Sequence, residues 1–246
     1  MDMLDNLVNN LNTGFYKDLD TNFEQALVMS EQEFSHSELL GLLQNGNIPQ
    51  KQIAAMKLET LNNEEEAKLL LSNLTGCDGK IREAVALKIN QLLLENSNMA
   101  VLFKNAEVFA DASIDINANI CRLVIDSVSI LKNDKLFADR YLNKILMFIN
   151  EAFVELDKFI FRDKKYVINK QLFKLYWALE ALKLFAKEVS IDVLYPILER
   201  ASLEKEYTIR EKVAQMAVLI DSIKIQLIIE RLKADENYYV RNVFNS

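Results

Sequence analysis

DGKIREAVALKINQL, residues Asp78–Leu92, holds a six-residue step that the chain writes twice. Ile-Arg-Glu-x-Val-Ala at residues 81–86 returns letter for letter at 209–214, inside YTIREKVAQMAVLI, Tyr207–Ile220. The C-terminal YYVRNVFNS keeps the Val-Arg pair and the apolar fifth position 31 residues later, with Arg241 in the arginine place. Upstream of Arg82 by the same 31 residues, Lys51-Gln52-Ile53 is a weaker copy with lysine in that place. Around each strong copy the apolar residues form one helical stripe. In the first it is Ile81, Ala84, Val85, Ile89, Leu92 and Leu93; in the second, Ile209, Val213, Met216, Ala217 and Ile220.

A stripe of this width on a short helix cannot be buried by one partner helix alone. Stacking neighbouring helix pairs buries it, and self-similarity at a few tens of residues is the mark of such arrays. Working outward from Asp78, the chain reads as pair after pair. Ser35 and Glu38 have capping-box spacing ahead of Leu39–Leu43, and Gly46 ends that helix. Pro49 opens the next, which the apolar pattern carries to about Leu61. Asn63 caps Glu64–Leu74, whose leading glutamates suit the positive end of a helix dipole. Downstream pairs are 99–110 with 115–131, 135–161 with 164–187, 191–203 with 208–220, and 222–233 with 238 to the end. Before residue 35, Leu4, Leu7, Val8 and Leu11 mark one helical face. A second helix over Asn22–Glu33 is expected to turn Phe23, Ala26, Leu27 and Phe34 inward.

Composition points the same way. Five Gly and two Pro in 246 residues leave little punctuation for turns and strands, and half the chain is hydrophobic. No segment alternates as a half-buried strand does. The expectation is an all-α fold, with residues 1–34 as an N-terminal helical cap and 35–246 as one continuous repeat domain. A net charge of −7 argues against nucleic acid as the main partner, since a phosphate backbone selects a basic face. No apolar run reaches the length of a membrane span. The acidic N-terminus lacks the pattern of a signal peptide, so the default setting is cytoplasmic.

The repeated step resembles the HEAT-repeat family, including its short bacterial forms. There an acidic turn precedes a second helix that opens Val/Ile-Arg and continues with small apolar residues. Asp78 with Arg82 and Glu206 with Arg210 fit that pattern closely, and Asp235 with Arg241 loosely. In the middle of the chain Asn119 and Asn169 fall near the expected arginine. The resemblance implies an α-α superhelix: a right-handed solenoid of about six hairpins. It also implies that Asp78, Arg82, Glu206, Arg210 and Arg241 form a structural ladder, each Arg reaching back to an acid of its own or the preceding repeat.

Signs of catalysis are few. His36 is the only histidine, which excludes the usual zinc clusters and Ser-His-Asp triads. Cys77 and Cys121 have no metal spacing and no neighbouring base, and no Gly-rich phosphate loop exists. Neither a metal nor a cofactor is called for. One region stands apart. Residues 157–187 carry eight basic side chains against three acidic, a net +5 that leaves −12 for the rest. Half of the 22 aromatics, including the sole tryptophan, lie between Phe137 and Phe185. Arg162, Tyr166, Lys170 and Lys174, four apart, share a helical face with Trp177 near its edge. They are the candidate partner-binding face, suited to a protein or acidic peptide; otherwise the aromatics are core and the lysines a solvated rim. The expected function is a non-catalytic interaction module presenting a concave helical surface. The alternative is an enzyme on the same scaffold, similar to DNA-alkylation glycosylases or bilin lyases. The apolar last helix, with Tyr239, Val240, Val243 and Phe244, is expected to seal the end of the stack, a homo-oligomer contact there being the other outcome.

Overall fold

The computed structural model describes residues 14–95, 100–158 and 165–245. Among these residues the chain is helical throughout its regular structure, with no strand. The fold is all-α. It divides into two compact units, one running to Leu102 and the other from Phe103 to the C-terminus. That boundary falls inside the 35–246 stretch expected to be a single domain. The stripe of Leu4, Leu7, Val8 and Leu11 lies outside the described residues.

The first unit holds α1 (Gly14–Glu31), α2 (His36–Asn45), α3 (Ile48–Lys57), α4 (Glu64–Leu74) and α5 (Gly79–Glu95). The Ser35 hydroxyl accepts from the Glu38 amide, and the Glu38 carboxylate accepts from the Ser35 amide at 2.8 Å, which closes the capping box. Asn47 and Gln50 build a second box on α3, one turn after α2 ends. Gly46 joins the two: a Cβ there would lie 2.5 Å from the Leu42 carbonyl oxygen and 2.8 Å from Gln50 Cβ. Helix α2 packs on α3 and α4, α3 on α5, and α4 on α5, so two hairpins lie side by side with like helix against like.

Helix α3 stops at Lys57, short of the expected Leu61. Leu58 and Leu61 are nonetheless buried, inserted from a non-helical turn, which is why the apolar period runs past the helix. A clearer departure concerns α1, which begins at Gly14. Only Met29 is buried along its described side chains, while Phe23 and Leu27 are 70% and 53% exposed. The helix packs on α3, and Phe23 borders an open groove beside Ile48, Pro49 and Gln52 instead of being enclosed by them.

The second unit comprises α6 (Ala106–Ala112), α7 (Ala118–Leu131), α8 (Lys135–Lys158), α9 (Lys165–Lys183), α10 (Ile191–Ala201), α11 (Tyr207–Ala217), α12 (Gln226–Lys233) and α13 (Tyr238–Asn242). The hairpin partners α6/α7, α8/α9, α10/α11 and α12/α13 are each in contact, and the second helices pack in series, α7 on α9, α9 on α11 and α11 on α13. The core is aromatic. Phe109, Phe137, Tyr141 and Phe185 run in a chain with ring centroids 5.5, 6.0 and 5.8 Å apart. The Tyr141 hydroxyl is fully buried and meets Ser113 Oγ at 2.7 Å, and Ser113 in turn donates to the Phe109 carbonyl. At the end of the chain Val240 is buried under α11 and α12, while Tyr238 and Tyr239 stay about 60% exposed.

Candidate functional site

The repeated arginines make one contact three times. Arg82 Nη1 donates to the carbonyls of Gly76 and Cys77 at 2.9 and 3.0 Å. Arg210 Nη1 donates to those of Glu204 and Lys205 at 2.8 and 2.9 Å. Arg241 Nη1 reaches the carbonyls of Asp235 and Glu236. In every case the acceptors stand six and five residues back, in the turn that links the two helices of a hairpin. Such turns aim carbonyls inward without backbone partners, and a planar guanidinium satisfies two at once.

The acids of the expected ladder act differently from the expectation. Asp78 caps α5, accepting from the amides of Lys80 and Ile81. Glu206 is the N-cap of α11 without a side-chain cap bond, and it contributes a nearby charge to Arg210. The direct carboxylate partner of Arg210 lies forward, not back: Asp235, 25 residues on, bound in bidentate fashion at 2.6 and 2.9 Å. Those hydrogen bonds raise Arg210 and hold the Asp235 carboxyl below the usual range against the opposing effect of burial. Asp235 also accepts from the Asn237 amide, so it joins turn, helix cap and preceding hairpin.

The register exposes a fourth member that sequence reading missed. Asp115 and Asn117 repeat the cap geometry of Asp235 and Asn237, which puts Cys121, not Asn119, in the arginine place. Its thiol donates to the Asp115 carbonyl, six residues back. Burial pushes that thiol up to about 12, with Asp115 adding to the effect. Lys51 in the weak copy reaches forward instead, to Asn73 Oδ1 at 3.3 Å, and buried Asn73 donates to the carbonyls of Leu43 and Leu69.

The basic aromatic face does not assemble as expected. Trp177 is 7% exposed, packed edge-on against Phe173 and Tyr176, and its Nε1 has no hydrogen-bond partner. It is core, because α9 is enclosed on nearly all sides here, with Leu175, Ala178, Leu179, Ala181 and Leu182 fully buried around it. Lys174 is tied to Glu151 of α8 at 2.7 Å and lies 4.6 Å over the Phe148 ring. Lys170 is exposed. Arg162 and the side chain of Tyr166 lie outside the described residues.

What the second unit does build is a cleft of about 880 Å³ on the α9–α11–α13 side. Its walls combine Val218, Leu219, Ile220, Ile229, Val243 and Phe244 with Lys183, Glu211, Gln215, Lys233 and Tyr239. Tyr239 stacks on Tyr207 at 6.1 Å, and Lys233 lies over the Phe244 ring. One polar network runs along its edge. Glu180 accepts from Lys183 at 2.8 Å and from Lys212 at 2.7 Å. Lys212, 8% exposed, lies 4.7 Å over the Tyr176 ring. Gln215 takes hydrogen bonds from both lysines and donates to Glu211. Burial works against both charged forms here, yet the paired hydrogen bonds prevail: Glu180 is held below its ordinary value and Lys212 above. Lys212 sits in the run Arg-Glu-Lys and reads as a surface residue; the only available signal was Glu180, the lone acid among the lysines of α9.

Among the described residues no three His, Cys, Asp or Glu side chains gather as a metal site, and no helix is long and apolar enough to cross a membrane. No family model matches the chain, and comparison with curated proteins gives no match.

Proposed function

We propose that this chain is a HEAT-like α-solenoid working as a non-catalytic interaction module, and that the α9–α11–α13 cleft takes a segment of a partner protein. The pairing of like helices within each unit and the thrice-repeated arginine contact support the solenoid reading. The observation that carries the function is the make-up of the cleft: an apolar wall of Val218, Leu219, Val243 and Phe244 edged by Lys183, Glu211 and Gln215, whose polar groups are already hydrogen-bonded. Glu180 and Lys212 pair at 2.7 Å and hold Lys183 and Gln215 of the cleft edge in place. Fixed, satisfied charges beside an apolar wall serve recognition. A cytoplasmic setting remains part of the proposal.

The test is quantitative affinity capture from the native cell with wild type, Val218→Arg and Lys170→Glu. Val218 is 52% exposed in the cleft wall, so arginine there fills the cleft without disturbing the core. The proposal expects Val218→Arg to lose the captured set and Lys170→Glu to keep it. Equal capture by Val218→Arg and wild type overturns the assignment of the cleft.

A further inference from the structure

Two ion pairs join α10 to the segment that ends in α12: Lys224 with Asp192, and Arg231 with Glu199 at 2.9 Å. Both partners are 32 residues apart, and the pairs are seven residues apart on each side. The two segments therefore run side by side in one direction with a constant register. That register sets Tyr195 beside Leu227, with Ile223 in the 3-10 turn that leads into α12. These three side chains are 38%, 73% and 90% exposed. The result is an apolar centre bounded at both ends by a neutral ion pair.

We infer that this face binds a second copy of the chain across a two-fold axis. The argument is charge complementarity. Each bounding pair carries one acid and one base, so a two-fold copy can place Asp192 against Lys224 and Glu199 against Arg231 of its mate. A uniformly acidic or basic partner would be repelled by half of these groups. Residues 221–245 are also neutral, four acids against four bases, in a chain of −7. Two copies therefore meet here without net charge repulsion. An apolar centre with a polar rim is the anatomy of a protein interface. Two helical segments of this length present a face of only about 300–400 Å². That is below the roughly 800 Å² per partner of a standard stable interface, so the dimer forms reversibly.

Sedimentation velocity over a wide concentration range decides the matter, with circular dichroism to verify folding of each variant. Wild type is expected to shift from monomer to dimer as concentration rises, and Leu227→Glu to weaken that association about tenfold or more. Asp192→Lys makes its bounding pair doubly positive and Lys224→Glu makes it doubly negative. Each alone should be monomeric, and an equimolar mixture should dimerise. Wild type that stays monomeric throughout, Leu227→Glu that dimerises as wild type does, or a mixture that stays monomeric overturns the inference.

Discussion

Replacing Arg210 by Ala removes the most connected side chain of the repeat. Arg210 and Asp235 are only 9% and 8% exposed, and the guanidinium makes two bonds to Asp235 and two to the carbonyls of Glu204 and Lys205. Breaking such a pair from one side leaves a carboxylate with poor access to water, which costs about 3–5 kcal/mol. Asp235 keeps the Asn237 amide and the field of Arg241, so the lower part of that range, about 3 kcal/mol, is expected. For a unit of this size that lowers Tm by about 10 °C. Trp177 is the sole tryptophan and is buried in the same unit, so its fluorescence in urea reports the unfolding of that unit alone. Arg241→Ala, which gives up two turn carbonyls, should cost only about 1 kcal/mol. Arg210→Met with Asp235→Leu should recover most of the loss, because an apolar pair leaves no stranded charge. The pH dependence carries a sign. Asp235 titrates below its ordinary range when folded, so its contribution is complete above about pH 4 and fades as pH falls below that. The gap between wild type and Arg210→Ala should therefore narrow in acid. An Arg210→Ala protein whose urea midpoint matches wild type, or a gap that widens in acid, would refute the reasoning.

Tyr141→Phe strips the buried hydroxyl from Ser113, which retains the Phe109 carbonyl; a loss of about 1 kcal/mol in urea titration is expected. A thiol reagent at neutral pH should modify one group per native chain, exposed Cys77, with Cys121 reacting only after denaturation because burial pushes it up to about 12. Lys174→Ala should cost up to about 1 kcal/mol through the Glu151 pair and the Phe148 ring, whereas Lys170→Ala should stay within about 0.5 kcal/mol. Comparison of the two lysines by thermal unfolding separates a tethered side chain from a solvated one.

Helix placement was legible because its causes are local. The Ser35–Glu38 box, the Asn63 cap with its three glutamates, and the stripe from Ile81 to Leu93 each act over one or two turns. The same holds for the arginine step, whose acceptors lie five and six residues away along the chain. Cys121 escaped because its register is carried by Asp115 and Asn117 while the marker side chain itself has changed.

What the sequence alone could not decide is which face of a helix acquires a neighbour. Phe23 and Trp177 carry the same local signal, a large apolar ring in a helical stripe, yet one is 70% exposed and the other 7%. Lys170 and Lys174 differ by a single turn, but only Lys174 meets a carboxylate from α8. Arg210 finds Asp235, and Lys212 finds Glu180, each across an intervening helix whose packing no local pattern states. Periodicity ranks the faces of one helix against each other. Packing of whole helices, through contacts tens of residues apart, selects the face that loses water, and with it the charges that pair and the cleft that remains open.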